Sequence, residues 1–186
     1  MSLSELRAAI PEYAKDLRLN LDSVLAEAGA PGLAQKQISL IALASAIAAR
    51  NHPLVTAIGE EAAKHASAAE IIGARTAAAI MGMNNVYYRF THLVADPEYR
   101  TLRAGLRMNA MSNPGCDKND FELCSLAVSA INGCGMCMDS HEKTLRKHGS
   151  SAQAVQSAVR IAAVINAVAI TLEQSGDGVQ ALSAAA

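Results

Sequence analysis

Residues 43–71, LASAIAARNHPLVTAIGEEAAKHASAAEI, and residues 126–155, LAVSAINGCGMCMDSHEKTLRKHGSSAQAV, can be written one above the other. Each carries a Ser-Ala-Ile element (Ser45 to Ile47, Ser129 to Ile131) followed by a turn. Each then has a helix ending in Lys-His (Lys64-His65, Lys147-His148) and a fresh helix starting at Ser. Such self-similarity points to one helical unit used twice, packed so that each half buries the other's apolar face. The pairing sets Cys134 against Arg50, Cys137 against Pro53 and His141 against Ala57, so the first copy has the scaffold without the chemistry. No segment shows sustained two-residue alternation, and the fold class expected is all-α.

Outward from these copies, Ser4 to Ile10 reads as a short helix that Ser4 could cap, and Pro11 opens a second helix running to about Ala28. Gly29, Pro31 and Gly32 break the chain before a helix over Leu33 to Arg50. Pro53 to His65 follows, then an Ala-rich helix after Ser67 that runs toward Asn84 and Asn85. Asp96-Pro97 starts a short turn or helix. Beyond Asn113-Pro114-Gly115 come helices over about Lys118 to Ile131, Gly135 to Lys147 and Ser151 to Glu173. The expected organisation is a single domain, 1–186. Its N-terminal half (1–95) lacks the motif, its C-terminal half (96–175) carries it, and the tail (176–186) is loosely held.

The 186 residues are 51% hydrophobic but only 3% aromatic, with no Trp, so the core must come from Ala, Leu, Ile, Val and Met. Unbranched members of that set are good helix formers. A net charge of -1, without Lys/Arg clusters interleaved with aromatics, argues against nucleic acid as a partner. Charges interrupt the N-terminus where a secretory signal needs an apolar run, and the apolar stretch from Ile161 to Ile170 is about half of a membrane span. A cytoplasmic protein without a membrane segment is expected. In a reducing compartment a CxxC is redox-active or metal-binding more often than structural.

Within Asn132 to Gly149, Cys134 and Cys137 are three residues apart and His141 follows Cys137 by four. If a helix begins near Cys134, all three side chains share one face of its first two turns. Unpaired backbone N–H groups and the helix dipole there favour a thiolate, and an imidazole can take or share its proton. One turn also brings two sulfurs within bonding reach. The expected chemistry is a redox-active dithiol. The alternative is zinc on Cys134, Cys137, His141 and His148, although structural zinc sites usually take their ligand pairs from two segments. Glu122, on an otherwise apolar helix twelve residues before Cys134, reads either as a general base or as a solvent-facing Glu near a helix N-terminus. Cys116 and Cys124 read as loop or core thiols, and His52, His65 and His92 as surface residues near turns. His148 complements the dipole at the end of its helix.

The run Asn113-Pro114-Gly115, Phe121-Glu122-Leu123, Ser129 to Gly133, Cys134-x-x-Cys137-x-x-x-His141-Glu142-x-Thr144-Leu145 resembles the alkyl hydroperoxidase D (AhpD) family of the carboxymuconolactone decarboxylase-like group. Ile10 to Asp16 and Ala79 to Val86 extend the likeness over nearly the whole chain. The resemblance implies an all-helical subunit, assembled as a homotrimer, that reduces alkyl hydroperoxides through its CxxC with no bound prosthetic group and no metal. It also implies reduction of the oxidised peroxiredoxin AhpC, with electrons from the dihydrolipoyl group of an adaptor protein served by dihydrolipoamide dehydrogenase. By the same likeness, Cys137 is oxidised to sulfenic acid and forms the interchain disulfide with AhpC. Cys134 is the proton donor and resolving thiol, and Glu122 and His141 form a proton relay. Met136 departs from relatives that carry His just before the second cysteine, and slower turnover is the expectation. Two other functions fit the sequence: a decarboxylase-like enzyme acting on a lactone acid, which needs no cysteine pair, and a zinc-stabilised helical interaction module.

Overall fold

In the computed structural model, which describes residues 1–176, the two copies of the sequence repeat become two copies of a three-helix unit. The eight α-helices among the described residues are α1 (Leu3–Ala8), α2 (Lys15–Val24), α3 (Gln35–Ala48), α4 (His52–Ala62), α5 (Ala68–Leu93), α6 (Lys118–Ile131), α7 (Gly135–Lys147) and α8 (Ala152–Gly176). The all-α expectation holds, and the described residues contain no strand. In chain order α3, α4 and α5 correspond to α6, α7 and α8.

The two leading helices form the centre. Residues 38–46 of α3 are all buried, and α6 buries Phe121 together with residues 123–129. A helix apolar on all sides has to sit inside a protein. Here α3 and α6 pack on each other, α5 and α8 each lie against both, and α4 and α7 fold back on their own half. Equivalent positions meet where the halves join, for the Gln37 side-chain amide donates to Asp120 Oδ1 at 2.8 Å. Beside that contact Lys36 Nζ lies 2.8 Å from Glu70 Oε1 and 2.9 Å from Asp120 Oδ2, tying α3, α5 and α6 together. Hydrogen bonds from Lys36 and then from Ser67 pull the Glu70 carboxyl down to about 2, and the two carboxylates hold the Lys36 ammonium above its ordinary value.

The structure shifts the expected pairing by one residue. Arg50 (φ 62) and Gly133 (φ 67) each occupy the left-handed position that ends the leading helix, so Asn51, not Arg50, is the counterpart of Cys134. Both counterparts are N-caps: Asn51 Oδ1 accepts from the backbone N–H of Leu54 at 2.9 Å, and Cys134 Sγ accepts from that of Cys137 at 3.3 Å. The Ser-Ala-Ile match is thus one residue out of step with the turn that follows it.

Other boundaries also moved. Ser2 rather than Ser4 caps α1, because its hydroxyl and backbone N–H both pair with Glu5 in a reciprocal capping box. Pro11 is extended (ψ 163) and opens only a single 3-10 turn, after which α2 starts at Lys15 and ends at Val24. The Ala-rich helix does not stop near Asn84 and Asn85 but continues to Leu93. Both asparagine side chains are buried on other elements, so neither competes with the helix for its backbone. Asp96 caps the short 3-10 turn Pro97–Arg100, as the Asp-Pro step suggests.

Within α8, Ala152–Gln174 is long and apolar enough to cross a membrane by length and composition, with a mean hydropathy of 1.7. In this fold the helix packs on α2, α3 and α6, and Ile161, Ile165 and Val168 are fully buried. Most of the tail expected to be loosely held, residues 177–186, lies outside the described residues.

Candidate active site

The site begins at the turn between α6 and α7. At the end of α6 the N–H of Gly133 donates to the carbonyl of Ala130 at 3.2 Å, and that of Cys134 to the carbonyl of Ser129 at 3.1 Å. These two bonds complete a Schellman motif, whose left-handed position favours glycine. Arg89 lies over this turn, and its Nη1 donates to the carbonyl of Asn132 at 2.6 Å. A chain of amides holds the same turn from α5. Asn85 Nδ2 donates to Ser129 Oγ at 2.9 Å, and Asn132 Nδ2 donates to Asn85 Oδ1 at 3.0 Å.

From this turn α7 starts with Cys134 as its N-cap and Cys137 in its first turn, the two Cα atoms 5.2 Å apart and the sulfurs bonded to each other. Cys134 is fully buried, and Cys137 is 7% exposed. When the bond opens, both sulfurs sit where a helix N-terminus offers N–H groups and a positive dipole end to negative charge.

One turn further on, His141 is also buried, and its two ring nitrogens have different partners. Nδ1 lies 2.7 Å from Glu122 Oε2, and Nε2 lies 3.3 Å from Met81 Sδ. A carboxylate can only accept, so Nδ1–H donates to Glu122, which fixes the ring plane. The α6–α7 turn folds α7 back along α6 and brings Glu122 round to His141, although they are 19 residues apart in sequence. Glu122 is therefore not a solvent-facing residue, since its side chain is 19% exposed.

Cys137 and His141 face a cavity of about 240 Å³ lined also by Met81, Asn84, Tyr88, Met111, Met136 and Ser140. A larger recess of about 420 Å³, bounded by Tyr87, His92, Tyr99, Arg100 and Leu102 among others, shares Tyr88 and Met136 with it. The cavity is three methionines and a tyrosine around a few polar groups, a lining suited to a small, mostly apolar ligand.

The remaining sequence candidates stay apart. His148 is the exposed C-cap of α7, at the opposite end of that helix from Cys134, so the four proposed zinc ligands are not gathered. Among the described residues no group of three or more His, Cys, Asp or Glu side chains is placed to hold a metal ion. Cys124 is a buried core thiol whose acidity burial suppresses, and Cys116 is a half-buried loop thiol raised by burial and by Asp120 and Asp117. His52, His65 and His92 are exposed. Sequence reasoning missed Met81, Asn84, Asn85, Tyr88 and Arg89. Their spacing along α5 puts Met81, Asn84, Asn85 and Tyr88 on one face, a signal present in the Met-Gly-Met-Asn-Asn-Val-Tyr-Tyr run from Met81 to Tyr88 but without meaning until α5 is laid against α7.

Residues 97–173 match the Carboxymuconolactone decarboxylase family, a span that holds the whole of α6 and α7. Similarity to individual proteins reaches further. A Streptomyces griseus protein called alkyl hydroperoxide reductase AhpD is 54% identical over 173 residues, 93% of this chain and 96% of the relative. A Brucella suis protein of the same name is 53% identical over 93% of this chain and 97% of its own length. A Frankia alni protein, again of that name, is 49% identical over the full length of both chains. With half of its residues shared along nearly all of its length, the chain belongs to the AhpD family.

Proposed function

We propose that this protein is an antioxidant thiol peroxidase and disulfide reductase that reduces alkyl hydroperoxides through Cys134 and Cys137. The observation that carries the reading is the bonded cysteine pair at the start of α7, one turn from an imidazole buttressed by Glu122 and opening on an apolar cavity. The relatives' shared name, alkyl hydroperoxide reductase, agrees with it.

In the proposed cycle His141, held by Glu122, takes the proton of Cys137. The thiolate attacks the terminal peroxide oxygen, giving sulfenic acid and, with the proton returned, the alcohol. Cys134 then attacks the sulfenic sulfur, and water leaves as the disulfide forms. The dihydrolipoyl group of an adaptor protein, itself recharged by dihydrolipoamide dehydrogenase, supplies the two electrons that reopen the bond. No bound prosthetic group takes part. Through Cys137 the protein also forms a transient interchain disulfide with the peroxiredoxin AhpC and regenerates it. We place this work in the cytoplasm and in a homotrimer, for which the apolar face of α5 formed by Val86, Phe90 and Leu93 is available surface.

The test is mass spectrometry of the reduced protein after one equivalent of cumene hydroperoxide. Loss of two hydrogens and a peptide linking Cys134 to Cys137 are expected. A parent protein that keeps both thiols refutes the proposal. The family match keeps a decarboxylase reading in view, and Cys137→Ser separates the two: it abolishes a peroxidase and leaves a decarboxylase intact.

A further inference from the structure

The cavity beside Cys137 contains one polar group that its surroundings do not satisfy. Asn84 is 3% exposed and its Nδ2 donates to Met111 Sδ at 3.5 Å, while its Oδ1, also buried, accepts no hydrogen bond. Its neighbour Asn85 uses both ends of the same amide, on Ser129 and Asn132. Buried side-chain oxygens nearly always find a donor, and leaving one unmade is costly. Asn84 is part of the cavity wall, so a molecule seated there can supply the missing donor, and most of the lining, Met81, Tyr88, Met111 and Met136, offers none except the tyrosine hydroxyl.

We propose that Asn84 binds the substrate. Its Oδ1 accepts a hydrogen bond from the O–H of an alkyl hydroperoxide whose hydrocarbon part lies among the three methionines and Tyr88. This assignment rests on the peroxidase reading. It names the group that selects a hydroperoxide and presents its terminal oxygen to Cys137. In the reaction the S–O bond forms on that oxygen as the O–O bond breaks, and the sulfur is oxidised from thiolate to sulfenic acid. The O–O electron pair leaves on the alkoxide, which takes up the proton first removed from the Cys137 thiol. The hydrogen held by Asn84 stays on its oxygen throughout, so a neutral amide, which accepts without acting as a base, suits the position.

The test uses the full-length reduced protein, its Asn84→Leu variant and its Asn84→Ala variant. Two reactions of Cys137 are followed by peptide mass spectrometry: oxidation by tert-butyl hydroperoxide, and modification by methyl methanethiosulfonate, which has neither O–H nor N–H to donate. Oxidation is expected to slow about tenfold in both variants, the size of one hydrogen bond, with the thiosulfonate rate within twofold of the parent. Unchanged oxidation overturns the assignment, as does an equal fall in both reactions, which would make Asn84 a support for the site rather than a substrate contact. If Asn84→Leu does not fold, the smaller Asn84→Ala decides. A parent protein that does not react with the hydroperoxide overturns the peroxidase reading and the assignment together.

Discussion

Replacing Glu122 by Gln keeps the shape of the side chain and removes the charge that orients His141. The pair is well shielded, with His141 7% and Glu122 19% exposed, and its 2.7 Å contact is within the range of a charge-assisted hydrogen bond. Such a bond contributes about 1.5–3 kcal/mol, against about 0.5–1.5 kcal/mol for a neutral one. The variant should therefore lose about 1.4 kcal/mol of whatever the ring does in the transition state, roughly tenfold in rate. The amide can also turn its NH2 toward Nδ1, which favours the tautomer with the proton on the wrong nitrogen and adds to the loss. The assay is the rate at which cumene hydroperoxide closes the Cys134–Cys137 bond in the reduced protein, followed by intact mass from pH 5 to 9, with thermal unfolding as the control. A variant that folds and reacts within twofold of the parent over that range refutes the relay.

Lys36→Met leaves Asp120, 4% exposed, with only Gln37 as a partner, and should destabilise the protein by about 2–3 kcal/mol in urea unfolding. Glu70's folded value lies below its ordinary 4.5, so its share of the Lys36 clamp is fully present above about pH 4.5 and is lost as pH falls toward 2. Lys36 is shifted upward, so its share is present below 10.5 and is lost at higher pH. The gap between parent and variant should accordingly narrow in acid, and a constant gap from pH 7 to 3 would remove the clamp as its cause. Arg50→Gly should raise stability by about 0.5–1 kcal/mol, because Arg50 is the one non-glycine residue at positive φ among the described residues; a lower melting temperature contradicts this. Met136→His places a second imidazole in the wall shared by the two cavities, next to Cys137, and should speed hydroperoxide reduction by about tenfold. No gain would mean that the missing His does not limit this protein.

The helices around the motif could be read from the chain because their signals are local. Lys118 to Ile131 and Gly135 to Lys147 were expected from breakers and periodicity, and α6 and α7 have those bounds. The grouping of Cys134, Cys137 and His141 follows from helical spacing alone, since residues three and four apart share a face wherever the helix lies. The one-residue slip of the repeat shows where local similarity stops informing. Ser-Ala-Ile matched by identity, but the left-handed backbone at Arg50 and Gly133 sets the true register, and Arg gives no sequence sign of that conformation.

By itself the sequence determined an all-helical chain and a dithiol with a histidine on one helix start, because these depend on residues within two turns of one another, and a repeated unit, because residues 43–71 can be compared directly with 126–155. Only the tertiary structure decided that Glu122 reaches His141, that Met81, 60 residues before it, lies 3.3 Å from the other ring nitrogen, and that Asn84, with an unpaired side-chain oxygen, lines the cavity of Cys137. These contacts join α5, α6 and α7, and which faces of separate helices meet is set by how the buried faces of α3 and α6 pack together, a property of the whole core and of no single stretch of sequence.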